Sequence, residues 1–287
     1  MKKLILLLLT IISGLSARSA IIVYDGIRYY ASSEPADGLP GTAVVYENRS
    51  ANGDVVIPDT IYGYGKPYIV NDMINSAFVG SYISSIRLPN TLKSISREAF
   101  YASLRLSSVE FGESVEYIGP SAFESCTSLT SIDIPNSVVN VMDRAFYGCY
   151  GLTSLKIGKS VESIGGQAFS ECSNLKEFII DEDNPNLICV DDIVYSKDMS
   201  VVWLCLPCKN GGITLPESVT TIMDYAFSGC SGLTSITIPS RITKIGDYMF
   251  SGCSGLTSIT IPSGVTTIGD HAFSGCSGLT SITIPNS

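Results

Sequence analysis

One string of about 15 residues recurs almost unchanged near the end of the chain, and this limits the fold more than any other feature. It occurs at Ala226–Ser240, Met249–Ser263 and Ala272–Ser287, as AFSGCSGLTSITIPS with small variations. Self-similarity at a fixed period is typical of a repeat array. The marker phenylalanines stand 22 or 23 residues apart, except for one separation of 58 that predicts an insertion of about 35 residues; they are Phe78, Phe100, Phe123, Phe146, Phe169, Phe227, Phe250 and Phe273.

Each unit combines two apolar periodicities. Phe123, Cys126 and Leu129 are three residues apart, which predicts a short helical turn with one buried side. Ile132 and Ile134 alternate as in a strand, and the proline that follows ends it. A single unit cannot bury its apolar face, whereas stacked units can. We therefore predict a solenoid with a parallel β-sheet on one face and short helical turns on the other.

The pattern xxAFxxCxxLxxIxIPxxVxxIG, which covers roughly residues 55–287, resembles the leucine-rich repeat of BspA-type bacterial surface proteins. The resemblance implies a leucine-rich-repeat solenoid, secretion or surface display, and attachment to host proteins or other cells. The spacing alone predicts only the solenoid, because one scaffold hosts many activities.

The start of the chain has the pattern of a signal peptide. Lys2 and Lys3 precede the apolar run Leu4–Ile12, which is too short to span a membrane, and small residues follow at Ser13–Ala20. A lipoprotein anchor is not expected, since the first cysteine is Cys126. The predicted location is therefore secreted or at the cell surface.

The sequence divides into a signal peptide at 1–20, an N-terminal β cap at 21–54 and a repeat array at 55–287. Ile22–Tyr30 and Thr42–Glu47 are interpreted as the two strands of a capping β-hairpin. Leu187–Tyr195 and Val201–Leu206 predict a second hairpin, inserted at about 181–212 and projecting from the sheet side. The array stops at Ser287 without a polar cap, which suggests a fragment, a partner at that end, or end-to-end self-association there.

The charge balance limits the partners. Eighteen basic and 27 acidic residues give a net charge of −9. This argues against nucleic acid or an anionic membrane surface as a partner. No later apolar run reaches the roughly 20 residues that a membrane span needs. We expect no nucleic acid partner, no membrane span and no cofactor.

Six of the nine cysteines stand three residues after a marker phenylalanine; they are Cys126, Cys149, Cys172, Cys230, Cys253 and Cys276. Their side chains should point in parallel into the core, which suits free thiols better than disulfides. Cys205 and Cys208 form a CxxC motif, with Cys189 on the facing apolar run. A structural role or a local disulfide is preferred there over a redox or metal site, because a helix after the motif and further ligands are missing.

Other candidate groups are weaker. His271, the single histidine, replaces the tyrosines of sister repeats, so we interpret it as a surface residue rather than a catalytic base. Asp181, Glu182 and Asp183 could hold Ca²⁺, but a full calcium-loop spacing is missing and a solvated loop is preferred. Asn48 begins a glycosylation sequon, which carries no weight if the producer is bacterial, as the signal-peptide pattern suggests.

The outward residue between the two inward strand residues is the candidate ligand contact. It changes from charged residues, Arg87, Glu110, Asp133 and Lys156, to a threonine series at Thr237, Thr260 and Thr283. We expect an exported, adhesin-like binding protein that engages a host or neighbouring-cell surface protein or glycan through this face. The alternatives are a structural spacer within a longer surface protein, in which these residues are merely solvated, and an enzyme, which the missing catalytic groups disfavour.

Overall fold

The computed structural model describes residues 20–36 and 38–285. The predicted signal peptide lies outside these residues except for Ala20, and so does Ser287. The described residues form strands and turns without a helix, and none of their segments is a helix long and apolar enough to cross a membrane.

The strands before the first marker phenylalanine are β1 (Ile21–Tyr24), β2 (Ile27–Ser33), β3 (Gly41–Val45), β4 (Asn52–Val56), β5 (Thr60–Gly63) and β6 (Lys66–Met73). The next group is β7 (Tyr82–Arg87), β8 (Ser94–Ile95), β9 (Ser108–Glu110), β10 (Tyr117–Ile118), β11 (Ser131–Ile134), β12 (Asn140–Val141), β13 (Ser154–Ile157), β14 (Ser163–Ile164) and β15 (Glu177–Ile180). The last group is β16 (Leu187–Val190), β17 (Ile193–Ser196), β18 (Val201–Cys205), β19 (Asn210–Thr214), β20 (Thr221–Ile222), β21 (Gly232–Thr237), β22 (Lys244–Ile245), β23 (Ser258–Thr260) and β24 (Thr267–Ile268).

The predicted parallel sheet is present and is built from the longer strand of each repeat. These strands pair in three groups, β4-β7-β9, β11-β13-β15 and β19-β21-β23. In β11, Ile132 and Ile134 point inward while Ser131 and Asp133 are exposed, and the strand ends directly before Pro135. The solenoid and its period-two strand pattern are therefore confirmed.

A second row of two-residue parallel strands runs along the solenoid, which the sequence analysis did not predict. Strands β8, β10, β12 and β14 form one such sheet, and β22 pairs with β24. Each except the terminal β24, whose Ile268 is exposed, contributes one inward apolar side chain, such as Ile118 or Val141, to the core. Each regular repeat therefore adds one long strand and one short strand to the solenoid.

The predicted short helical turns are wrong. The chain between Ala122 and Leu129 forms successive hydrogen-bonded turns, because two residues in each repeat have left-handed backbone angles. Ser121 has φ of 55° and Ser125 has φ of 61°, and a right-handed helix cannot continue through such residues. Three-residue spacing here reflects turns that restart, not helix.

These turns also join neighbouring repeats. The amides of Ser121, Phe123 and Ser125 donate to carbonyls of the next repeat, at 2.7 to 3.0 Å. The amides between them close turns within their own repeat, as the Glu124 amide does by donating to the Ser121 carbonyl at 3.1 Å. Both sets of donors are therefore satisfied, and the turn side forms a third hydrogen-bonded row along the solenoid.

The marker phenylalanines form the centre of the core. They stack in two runs, Phe78 to Phe169 and Phe227 to Phe273, with ring centroids 5.0 to 5.5 Å apart and planes within 14° of parallel. This separation matches the spacing of about 4.8 Å between hydrogen-bonded strands. We call these the first run and the second run of repeats.

The N-terminal cap is larger than the predicted hairpin. Asp25 and Gly26, with φ of 52° and 81°, form a two-residue turn that splits Ile22–Tyr30 into β1 and β2. The expectation of one strand there is wrong. The sheet has five strands in the order β1-β2-β3-β6-β5, and its outer strands meet where Ile22 packs on Gly63, leaving no room for a Cβ atom.

The predicted hairpin is present, since β17 and β18 pair antiparallel around the turn at Lys197–Met199, but it does not project from the sheet side. Strands β16, β17 and β18 form an antiparallel sheet that continues into β20 of the short-strand row. Ile193, Val194 and Tyr195 are all buried, because one face of β17 packs on the core of the first run and the other face on that of the second. We call β16–β18 the wall, since it separates the two apolar cores.

The insertion contains one further repeat that lacks a marker phenylalanine, and we call it the disguised repeat. The Cys205 amide donates to Ala226, as Phe146 does to Ala168 in a regular repeat. Cys205 therefore occupies the position of a marker phenylalanine. Strand β19 then pairs with β21 as a regular long strand.

Candidate functional site

The four predicted contact residues lie in one outward row on β7, β9, β11 and β13. Arg87 stands opposite Glu110, and Asp133 opposite Lys156, in the strand registers. All four side chains are exposed. We call this row, with its neighbouring serines, the strand face.

The charges of the strand face are arranged in opposite-sign neighbours. Arg87 Nη2 lies 2.6 Å from Glu110 Oε1, and the two side chains are 59% and 61% exposed. The hydrogen bond to Glu110 raises the pKa of Arg87 above its usual value. With two positive and two negative groups, the row is locally neutral and offers hydrogen-bonding groups rather than a net charge.

A second outward column borders this row. Ser84 and Ser85 donate to one carboxylate oxygen of Asp54, at 2.9 and 2.7 Å, and these bonds lower the pKa of Asp54. Ser154 donates to Glu177 at 2.6 Å. Sequence reasoning missed Asp54, because β4 precedes the first marker phenylalanine. The apolar residues and proline at Val55–Pro58, which match the end of a long strand in other repeats, could have identified it.

In the second run the equivalent row is uniform. Thr237 stands opposite Thr260, and Thr214 of the disguised repeat extends the series by one strand. Thr214 was missed because the repeat spacing is lost inside the insertion. The strand face thus has one half with four charged residues, flanked in the same row by the exposed side chains of Val56 and Ile179, and one half made of threonines.

The six cysteines that follow marker phenylalanines, which we call the cysteine ladder, are free thiols in the described residues, and five of them are buried. Each thiol donates to the carbonyl of the preceding marker residue, as Cys126 does to Phe100 at 3.2 Å. Burial raises the pKa of Cys126 to about 12. Where serine replaces cysteine, Ser103 makes the same bond to Phe78 at 2.8 Å. The column is therefore a row of structural donors.

The CxxC motif lies at the wall. Burial raises the pKa of Cys208, and that of Cys189 to about 12, whereas an attacking thiol needs a lowered pKa. No cluster of metal-ligating side chains is found in residues 20–36 and 38–285. Buried Lys209 follows the motif and contacts Asp191 at 2.5 Å. The geometry is that of a structural turn.

The weaker candidates have structural surroundings. His271 is exposed and stacks on Tyr248, with ring centroids 4.8 Å apart. In the loop of Asp181–Asp183, the neighbouring Asn184 is buried and holds the backbone by donating to Gly158 and Val161. Asn48 is also buried, and its amide donates to backbone carbonyls of Tyr46 and Arg28, so it is not accessible for glycosylation.

Stacked repeats, two parallel strand rows and an apolar ladder define a leucine-rich-repeat solenoid. The BspA-type leucine-rich repeat region matches residues 71–189 and 205–287 in six copies, more than half of the chain. The chain therefore belongs to the BspA-type leucine-rich-repeat family.

Solved structures support the same fold. The pneumococcal vaccine antigen PcpA has 21% identity and a TM-score of 0.70 over 93% of this chain and 82% of its own. A leucine-rich repeat protein from Eubacterium ventriosum has 22% identity and a TM-score of 0.68, over 93% and 79%. A leucine rich cell surface protein from Faecalibacterium prausnitzii has 24% identity and a TM-score of 0.52, over 94% and 90%. No curated protein matches the sequence.

Proposed function

We propose that the chain is an exported, adhesin-like protein of the bacterial surface that binds a host or neighbouring-cell protein or glycan through the charged half of the strand face. The observation that carries this is the contrast within one row. Arg87, Glu110, Asp133 and Lys156 occupy positions that hold threonines in the second run, on the same type of strand. The fold does not require charges there, so we attribute them to a ligand.

Family membership supports surface display, and one structural relative carries the description of a cell surface protein. The solenoid offers a long row of exposed side chains on a rigid hydrogen-bonded backbone, which suits binding without rearrangement. The expectation that the chain is not an enzyme stays a prediction. A spacer without a ligand is the alternative, and the uniform threonine half favours it for the second run.

The test uses a panel of immobilised extracellular-matrix proteins and a glycan array. A variant with Arg87, Glu110, Asp133 and Lys156 all changed to serine should fold normally, since exposed substitutions change stability by about 0.5 kcal/mol or less each. Its binding to whatever the parent binds should be lost. The matched control changes Thr214, Thr237 and Thr260 to serine and should bind like the parent. Equal binding by the quadruple variant would contradict the proposal.

A further inference from the structure

A second surface distinguishes the two runs, along the turns that lead into the long strands. On the first run these turns expose large side chains: Tyr82, Leu104 and Tyr150 are 58%, 54% and 47% exposed, and Tyr101 is 36% exposed. We define the tyrosine edge as Tyr82, Tyr101, Leu104, Arg105, Tyr147 and Tyr150. It adjoins the strand face at Tyr82, the first residue of β7, but consists of different residues.

The fold does not require these side chains. Tyr101 and Tyr147 stand one residue after a marker phenylalanine, where the second run has Ser228, Ser251 and Ser274. Leu104 and Tyr150 stand four residues after it, where the second run has Ser231, Ser254 and Ser277. The same turns form in both runs, with the same hydrogen bonds. Exposed apolar area at these positions therefore has no structural explanation.

Two tyrosines of the edge, Tyr82 and Tyr147, are held in place by neighbouring arginines. The Arg105 guanidinium lies over the Tyr82 ring, 5.3 Å from its centroid, and Arg144 lies 3.8 Å from the centroid of Tyr147. Arg144 is fixed in turn by two bonds to Glu124, at 2.6 and 3.0 Å. Tyrosine and arginine side chains that are already ordered lose little entropy on binding, which is why they dominate protein interfaces.

The charges of the edge indicate what it fits. Arg144 is neutralised by Glu124. Arg105 has no ion pair with any carboxylate in the described residues; it lies over the exposed Tyr82 ring and directly follows the exposed Leu104 in the chain. An unpaired cation on an exposed aromatic ring, in a turn that also exposes an aliphatic side chain, is complementary to a carboxylate beside an apolar side chain. Such a pair is found on proteins, whereas a neutral glycan offers neither group.

We infer that the tyrosine edge is a docking surface for a protein segment that presents an acidic residue next to a large apolar one. This goes beyond the proposed function, because it assigns a partner class to a surface outside the strand face.

The test uses a random-peptide phage library, selected on the parent chain and counter-selected on the variant with Tyr101, Leu104 and Tyr150 changed to serine. These serines are the residues of the sister repeats, so the variant keeps the fold. Enriched peptides should pair Asp or Glu with Leu, Phe or Trp. They should bind at least about tenfold more weakly to the triple variant and to Arg105→Glu, while Arg105→Lys retains most of the affinity.

The quadruple strand-face variant separates this inference from the proposed function. It should bind the selected peptides like the parent. The strand-face proposal and the tyrosine-edge inference can therefore be rejected independently of each other. A selection that enriches no peptide, or peptides without an acidic residue, would overturn the inference. So would a glycan whose binding is lost on the triple variant, or a dimer of the chain in sedimentation that the same variant dissolves.

Discussion

The first and second runs share one backbone plan but differ in what they expose. In the first run the outward row is charged and the turns carry tyrosines, while in the second run both positions hold serine or threonine. The buried columns show no such difference: Phe123 and Phe250 are fully buried, and so are Cys126 and Cys253. Stacking fixes the inside of each repeat and leaves its outside free, so surface variation rather than core variation locates a binding region in such arrays.

The largest expected effect tests whether the two cores are independent. Phe123→Ala and Phe250→Ala each remove a fully buried ring stacked on both sides, which should cost about 3–5 kcal/mol. Because the wall separates the cores, each variant should weaken mainly its own run. Hydrogen exchange of the β13 and β21 amides would show this. Equal loss of protection in both runs for either variant would break the comparison.

Alkaline pH should weaken both runs through their thiols. Burial raises the pKa of Cys126, Cys172 and Cys253 to about 12 in the folded protein, against about 8.5 in an unfolded chain. The thiols of the unfolded chain therefore lose protons first. The contribution of the buried thiols to the free energy of unfolding is fully present below pH 8.5 and is lost as the pH rises towards 12. The slope should approach about 1.4 kcal/mol per pH unit for each buried thiol.

Urea unfolding between pH 8 and 9.5, below the usual range of tyrosine, would measure this slope. Cys253→Ser is the control and should remove the contribution of one thiol. The first run should respond more strongly than the second, because its ladder thiols are all buried whereas the Cys276 thiol is only half-buried. A stability that does not change with pH would mean that the thiols are oxidised or exposed.

A smaller effect separates the packing of the cysteine column from its hydrogen bonds. Cys126→Ser keeps a donor for the Phe100 carbonyl, as Ser103 already does for Phe78. Cys126→Val is apolar and slightly larger and removes this donor, but the Phe100 carbonyl still accepts the Ser103 amide at 3.0 Å, so the lost hydrogen bond should cost about 0.5–1.5 kcal/mol. Denaturant midpoints would rank the variants, with serine the milder. If valine is the milder, the column acts through apolar packing alone.

The smallest expected effect concerns the strand face. Glu110→Gln breaks the ion pair with Arg87, and since both groups are exposed the loss should stay below about 1 kcal/mol. Thr260→Val, at the equivalent row of the second run, should be similarly mild. Thermal unfolding of the two variants would compare the rows. A loss of several kcal/mol for Glu110→Gln would mean that these charges serve the fold instead of a ligand.

Much of this architecture was predictable from the sequence because it repeats. The inward columns of Ile132 and Cys126 and the outward row of Arg87 follow from side-chain periodicity in stacked strands. The turns were mispredicted, although glycine at Gly148 and Gly252 marks a left-handed position in several repeats. Three-residue spacing is shared by helices and by turns that restart, so apolar periodicity alone could not separate them.

The insertion could not be predicted in detail. Its apolar runs were predicted. Three consecutive apolar residues, Ile193, Val194 and Tyr195, do not show whether their strand projects into solvent or is covered on both faces. Cys205 at a marker position carries no phenylalanine to reveal the repeat. The tyrosine edge was also missed. Its tyrosines stand out only when they are compared with the serines at the equivalent turn positions of the second run.

The wall also has a consequence for how such chains could diversify. Since it shields the first core on one face and starts the second stack on the other, it acts as an adaptor whose two sides need not change together. Whole 23-residue units could be gained or lost beyond it by recombination between the near-identical strings. The charged half would stay intact, and each unit would move the far end by about 4.8 Å, the width of one strand. The number of uniform units would then set the length of the solenoid, which would change in steps of one repeat.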